Sequence, residues 1–104
     1  TRDFVSVRDV LKANLLSAVS PKSNGKVINV GSGKSITVNK LAYLVAKYYN
    51  SQITPEYLDF RSGDVMHSCA DISLAKKFID YEPSHALDDR LFKTLDWLDN
   101  EMKK

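Results

Sequence analysis

Between Phe60 and Ser73 the chain reads Phe60-Arg61-Ser62-Gly63-Asp64-Val65-Met66-His67-Ser68-Cys69-Ala70-Asp71-Ile72-Ser73. Arg61 is a permanent cation with a planar fork of donors. Ser62 and Gly63 lead from it to a carboxylate, Asp64, and glycine permits the tight backbone such a step needs. This spacing can set a guanidinium beside a carboxylate. The pair suits a ligand with both phosphate and hydroxyl groups, because arginine grips phosphate oxygens in pairs and a carboxylate accepts from a diol. The same residues also read as an exposed turn with an Arg–Asp ion pair, worth little to stability. The stretch alone leaves both readings open.

Other chemistry-bearing residues fall short of a motif. Val30-Gly31-Ser32-Gly33-Lys34-Ser35 invites a phosphate-binding reading, since a glycine loop between strand and helix can cradle phosphate. A P-loop needs glycine at Ile28, and the dinucleotide fingerprint needs one at Ile36. The loop therefore reads as a sharp exit from a strand. His67 and His85 are isolated, and a metal site would want more ligands at regular spacing. Nothing marks Ser68 or Cys69 as a nucleophile, and Cys69 reads as a small packing residue. Trp97, Phe92 and Tyr48 sit at helical positions and read as core. Tyr57 and Phe60 adjoin Arg61, where a ligand could touch them.

The elements that must position these residues alternate along the chain. Arg2–Val7 reads as a short strand. Ser6-x-x-Asp9 reads as a capping box opening a helix whose stripe of Leu11, Leu15, Ala18 and Val19 is expected to be buried. Pro21 stops it, and Ser23-Asn24-Gly25 signals a turn. Val27–Val30 reads as a buried strand. Thr37 is the N-cap of a second helix, with Val38, Leu41, Val45 and Tyr48 on one face. Ile53–Phe60 is a third strand candidate, with Pro55 near its start. Asp71 caps a short helix carrying Ile72, Ala75 and Ile79, which Tyr81-Glu82-Pro83 ends. A last helix spans Leu87 to Met102, with Leu87, Leu91, Leu95, Leu98 and Met102 facing inward. Asp88 and Asp89 in its first turn, with Lys103 and Lys104 at its end, complement the helix dipole. The expected fold is α/β: a small parallel or mixed three-stranded sheet packed by about four helices.

Bulk properties narrow the classes. A chain of 104 residues, 43% hydrophobic, suits one small domain over residues 1–104. Fifteen basic and thirteen acidic residues leave a net charge of +2 without a basic, aromatic-interleaved cluster, so no nucleic-acid partner is expected. One cysteine excludes an internal disulfide and makes a reducing compartment, the cytoplasm, the expectation. No apolar run approaches the roughly 20 residues of a membrane span, so no membrane partner is expected. A start at Thr1, directly into strand-like sequence, suggests a piece of something longer.

Four segments in register resemble the C-terminal part of the extended short-chain dehydrogenase/reductase family, the NAD-dependent nucleotide-sugar epimerases and dehydratases, with the UDP-glucose 4-epimerases nearest in character. They are Thr1-Arg2-Asp3-Phe4-Val5-Ser6-Val7-Arg8-Asp9-Val10, Asn29-Val30-Gly31-Ser32-Gly33, Arg61 through Asp71, and Tyr81-Glu82-Pro83 before a helix with Thr94 and Trp97. The resemblance implies that Arg2 and Arg61 contact the diphosphate of a nucleotide-sugar such as UDP-glucose. It implies that Asp64 holds ribose hydroxyls, that Phe4 lies by the nucleotide and that Ser68 can approach the substrate. Asp80, Arg90, Arg8 and Ala86 depart from the family pattern at positions away from these.

The family's glycine-rich NAD loop and its Ser/Thr and Tyr-x-x-x-Lys catalytic set lie in an N-terminal half that this sequence does not contain. Lys47 precedes Tyr48 and Tyr49, which is the wrong order. The expectation is a substrate-binding portion, inactive alone, that binds no NAD itself, whereas the parent enzyme uses NAD. The rival expectation is a non-catalytic module that self-associates, as a homodimer, through an exposed apolar face. A dehydratase or decarboxylase origin also stays open, as do the sugar and the base.

Overall fold

The computed structural model describes residues 1–84 and 87–104. Four helices carry the fold: α1 (Val7–Val19), α2 (Val38–Tyr48), α3 (Ser73–Ile79) and α4 (Leu87–Met102), with a 3₁₀ turn at Pro21–Ser23 after α1. The helix starts follow local chemistry. The Ser6 hydroxyl accepts from the Arg8 N–H, and the Thr37 hydroxyl accepts from the Lys40 N–H at 3.0 Å. Each satisfies a donor that the first helical turn would leave unpaired. The Asp71 carboxylate does the same for α3, accepting from the Ser73 N–H at 2.9 Å. The Ala86 cap position and His85 lie outside the described residues.

Two packed units form from these helices. In the first, Ala13 of α1 and Ile72, Ala75, Ile79 and Tyr81 of the α3 region are buried together, with Leu16, Ile28, Val30, Ala70 and Phe78 against them. Alanines at the α1–α3 contact let the backbones approach closely. Tyr81 is fully buried, and its hydroxyl donates to the Gly31 carbonyl at 2.7 Å. In the second, α2 meets α4 through the Tyr48 and Phe92 rings, 5.4 Å apart. The Tyr48 hydroxyl donates to Asp96 and the Tyr49 hydroxyl to Asp99. The hydrogen bond to Asp96, first among the causes, pushes the Tyr48 phenol up to about 12.

The three-stranded sheet is not there. The described residues contain no strand, only one antiparallel bridge in which Arg2 and Ile36 exchange two N–H···O bonds of 2.9 Å. A strand exists by virtue of its ladder, and the runs 2–7, 27–30 and 53–60 do not pair with one another. Ile28 and Val30 face the core while Val27 is 92% exposed, so the alternation is strand-like without a partner. Ile53–Phe60 is solvated throughout.

Apolar patterning also misassigned some faces. The stripe of Leu11, Leu15, Ala18 and Val19 on α1 is exposed, at 57%, 63% and 79% for the three large residues. The buried face of α1 is instead the smaller, partly polar one bearing Asp9 and Ala13. The Asp9 carboxylate does not complete the capping box; it turns inward to accept from the N–H and hydroxyl of Ser84 at 3.1 and 2.9 Å. On α2 the buried residue is Leu44, with Leu41, Val45 and Tyr48 half-buried and Val38 exposed. On α4, Leu95 is buried, whereas Leu98, Met102 and Trp97 are exposed. Cys69 is exposed rather than packed.

These exposures share a cause. The chain is a slab with principal extents of 50, 37 and 22 Å, and its radius of gyration is 16.6 Å, against about 13 Å for a compact domain of this size. Its accessible surface is 8135 Å², whereas a compact monomer of this mass would expose about 5900 Å². Large apolar side chains such as Leu11, Leu15, Val19 and Trp97 are among those left exposed.

Candidate functional site

The chain's first residues run between two other segments. On one side Arg2 bridges to Ile36. On the other, the Ser68 N–H donates to the Thr1 carbonyl at 3.1 Å, and His67 Nδ1 lies 3.0 Å from the Thr1 hydroxyl. This places Arg2 beside the stretch that carries the second arginine and the acid.

Arg2 Nη2 meets Asp64 Oδ1 at 3.0 Å, while Nη1 donates to the Thr1 carbonyl at 2.8 Å. Both side chains remain open to solvent, Asp64 by about half. Arg61 and Asp64 bound a tight turn in which the Asp64 N–H donates to the Arg61 carbonyl at 3.3 Å. Gly63 takes φ +84° there, with nothing within 4 Å of a Cβ built on it, so glycine serves the backbone and not a close contact. The turn expected from the sequence exists, but its carboxylate pairs with Arg2, 62 residues away, rather than with Arg61. Arg61 has no ion pair among the described residues, which leaves its five donors facing water. Arg2 and Asp64 form a surface ion pair, and Arg61 stands at the other end of the turn that carries Asp64.

Phe4 and Ser68 sit apart from that group. Phe4 lines a cleft of about 540 Å³ together with Val7, Lys34, Leu41, Arg90 and Leu91. Ser68 lines a hollow of about 360 Å³ with Asp3, Asn29, Gly31 and Cys69. Neither cavity, among the described residues, is bounded by Arg2, Arg61 or Asp64. The five sequence-derived candidates therefore do not share one concavity within this chain.

Asp3, between two of those candidates, was not singled out by sequence, yet it organises the region. Its Oδ1 accepts from the N–H and hydroxyl of Ser32, at 2.9 and 2.5 Å. Its Oδ2 accepts from the N–H groups of Gly33 and Ala70, at 3.1 and 3.2 Å. Partial burial alone would raise its pKa. The hydrogen bonds from Ser32, Ala70 and Gly33 outweigh that and hold the carboxyl below its ordinary 3.8. A carboxylate flanked by two ligand candidates was the signal available, and no spacing rule points to its partners.

The same contacts test whether the Gly31–Gly33 loop fits a dinucleotide. A bound diphosphate would need the N–H groups of Ser32 and Gly33, which Asp3 already holds. The carboxylate would also repel it. A Cβ at Gly31 would lie 2.5 Å from Ala70 Cβ and 2.7 Å from Asp3 Oδ2, so that glycine makes room for protein and not for a cofactor. The loop does not fit NAD. Among the described residues no group of three or more His, Cys, Asp or Glu side chains could hold a metal ion, and no helix is long and apolar enough to cross a membrane.

Arg2 is thus paired with Asp64 at the surface, Arg61 bounds the same turn as Asp64, and the glycine loop is closed by Asp3. The homologues of this chain are UDP-glucose 4-epimerases and related epimerases, and its span is consistent with a C-terminal portion of such a short-chain dehydrogenase/reductase enzyme. A UDP-glucuronate 4-epimerase of Thermodesulfobacterium geofontis is 32% identical over 97 residues, covering 92% of this chain and 29% of that protein. The structure of a UDP-glucose 4-epimerase from Thermotoga maritima, solved with UDP-glucose, is 33% identical with a TM-score of 0.87, covering 96% of this chain and 32% of that one. A UDP-N-acetylglucosamine 4-epimerase from Methanobrevibacter ruminantium, in complex with UDP-N-acetylmuramic acid, is 39% identical with a TM-score of 0.86, covering 95% and 31%. The chain thus spans about three-tenths of the length of the curated relatives it matches. No family model matches it.

Proposed function

We propose that this chain is the single C-terminal substrate-binding domain of an NAD-dependent UDP-sugar 4-epimerase, and that it is inactive by itself. The observation that carries the reading is the Arg2–Asp64 ion pair at 3.0 Å, set beside the Arg61 turn, in a chain homologous to such enzymes. Two guanidinium groups offset the charge of a diphosphate, and one carboxylate accepts from the vicinal hydroxyls of ribose. Phe4 lies by the nucleotide and Ser68 reaches toward the sugar. The NAD-binding half supplies the hydride chemistry when joined to this chain. This part supplies orientation, because binding energy from a remote handle positions the reacting centre.

The surface excess supports the same reading, since a second unit seated on the slab would cover the stripe of Leu11, Leu15 and Val19. It equally favours self-association as a homodimer. Light scattering across a concentration series separates the two: a strict monomer at high concentration removes the homodimer. Incubation of the purified chain with NAD and UDP-glucose tests the proposed inactivity, and turnover would overturn it.

A further inference from the structure

We propose that Asp3 is the positioning residue of the nucleotide-sugar site, acting through Arg2 by tying the first residues of the chain to the Gly31–Gly33 loop and to the segment that carries Ser68. The inference rests on the functional reading above and adds a residue whose carboxylate oxygens are taken up by protein donors.

The argument begins with acceptor capacity. An ionised carboxylate has about four lone-pair directions and no donor. Asp3 fills them with four donors from two separate segments, 32–33 and 70. Charge-assisted bonds of this kind are roughly twice as strong as neutral ones. Asp3 adjoins Arg2 and Phe4 in sequence. Its partner Ala70 lies two residues beyond Ser68, whose N–H holds the Thr1 carbonyl. That carbonyl in turn accepts from Arg2 Nη1 at 2.8 Å. The route from the aspartate to the guanidinium is therefore continuous: Asp3 to Ala70, along the backbone to Ser68, then Thr1 and Arg2.

Thr1 and Arg2 also meet Asp64, Met66, His67 and Ser68 directly, but among the described residues Asp3 alone joins the first residues to both the Gly31–Gly33 loop and Ala70. Among the described residues the one β-bridge of this segment is Arg2–Ile36, and it fixes the opposite edge. Gly31 keeps the space open, because a Cβ there would come within 2.7 Å of Asp3 Oδ2. An asparagine at position 3 is not a neutral substitute. It offers one oxygen and one amide, and the amide would face donors.

The test uses the polypeptide that joins this chain to its NAD-binding half, titrated with UDP-glucose by calorimetry. Asp3→Asn is expected to weaken binding about tenfold, with the far-UV circular dichroism spectrum retained. In an Arg2→Ala background the same change is expected to cost no more than about twofold, since its effect passes through Arg2. A purely structural role would give the full loss in both backgrounds, and that result overturns the proposal. Wild type that binds, with Asp3→Asn binding within twofold of it, overturns the proposal alone. Wild type that does not bind UDP-glucose overturns the nucleotide-sugar reading and this proposal with it. Where Asp3→Asn does not fold, Ser32→Ala removes the hydroxyl donor to Asp3, together with its local contact to Lys34, and leaves the three backbone donors. It is expected to weaken binding about threefold in the Arg2-dependent manner, and an unchanged affinity overturns the proposal.

Discussion

Replacing Asp80 by glycine is expected to stabilise the protein. Asp80 is the C-cap of α3 and takes φ +51°, ψ +34°, the left-handed region. The geometry is functional: the N–H groups of Asp80 and Tyr81 both reach the Ala75 carbonyl, which closes the helix and turns Tyr81 into the core. A left-handed residue with a side chain carries about 1–2 kcal/mol of steric strain, less for aspartate, which bonds locally. Its charge also sits at the negative end of a helix dipole, an unfavourable term of about 0.3 kcal/mol for an exposed group. Glycine removes both and gives back about 0.4–1 kcal/mol through the freedom of the unfolded chain. The net is a gain of about 1 kcal/mol, or a rise in Tm of about 4–8 °C for a chain of this size. Asparagine, which tolerates the same conformation without the charge, falls between. Alanine also lacks the charge but has no side-chain hydrogen bond to ease the left-handed conformation, and it falls below wild type. Thermal unfolding followed at 222 nm ranks the four. A glycine variant no more stable than wild type refutes the reasoning, because it shows that the strain is not borne at this residue.

In the polypeptide containing both halves, Arg61→Ala is expected to raise KM for the nucleotide-sugar about tenfold or more, the loss of a charge-assisted bond, while NAD binding is retained; an unchanged KM removes the role. Gly31→Ala forces a methyl group against Ala70 and Asp3 and is expected to destabilise by about 1–3 kcal/mol, measured in urea. Because the Asp3 carboxyl is held below 3.8 when folded, its stabilisation is whole above that value and is lost as the pH falls through the lower folded value. Unfolding midpoints between pH 6 and 2.5 are expected to fall less steeply in Asp3→Asn than in wild type. The Tyr48 phenol, raised to about 12, is expected to ionise about two units above free tyrosine in an absorbance titration, and Asp96→Asn is expected to bring it back down.

The helices were legible because their signals are local. Ser6, Thr37, Asp71 and Pro21 act within a turn of where they stand, and each start or stop falls where chemistry places it. The sheet was not legible, because a strand-like run such as Val27–Val30 says nothing of its partner. The burial of α1 was misread for a related reason. Hydrophobicity ranks Leu11, Leu15 and Val19 above Asp9 and Ala13, but hydrophobicity does not say whether the covering surface belongs to the same chain. At the candidate site, the Arg61–Asp64 turn followed from Gly63. The Arg2–Asp64 pair needed the family resemblance to bring the two residues together, since nothing local links positions 62 residues apart. Asp3 stayed hidden because three of its four donors are backbone N–H groups, which leave no trace in side-chain patterns, and the fourth, the Ser32 hydroxyl, lies 29 residues away.

The 22 Å thickness of the slab changes how substitutions in it should be scored. A body barely two helices deep keeps few side chains out of reach of water, so tolerance measured on the lone chain does not report what an attached partner surface would constrain. A mutational scan of that chain would mark Leu11, Leu15 and Val19 as silent and Tyr81 as intolerant. The same scan with the covering half attached would move all three leucine and valine positions into the intolerant class while Tyr81 stayed put. The difference between the two maps, residue by residue, would draw the seam between the halves.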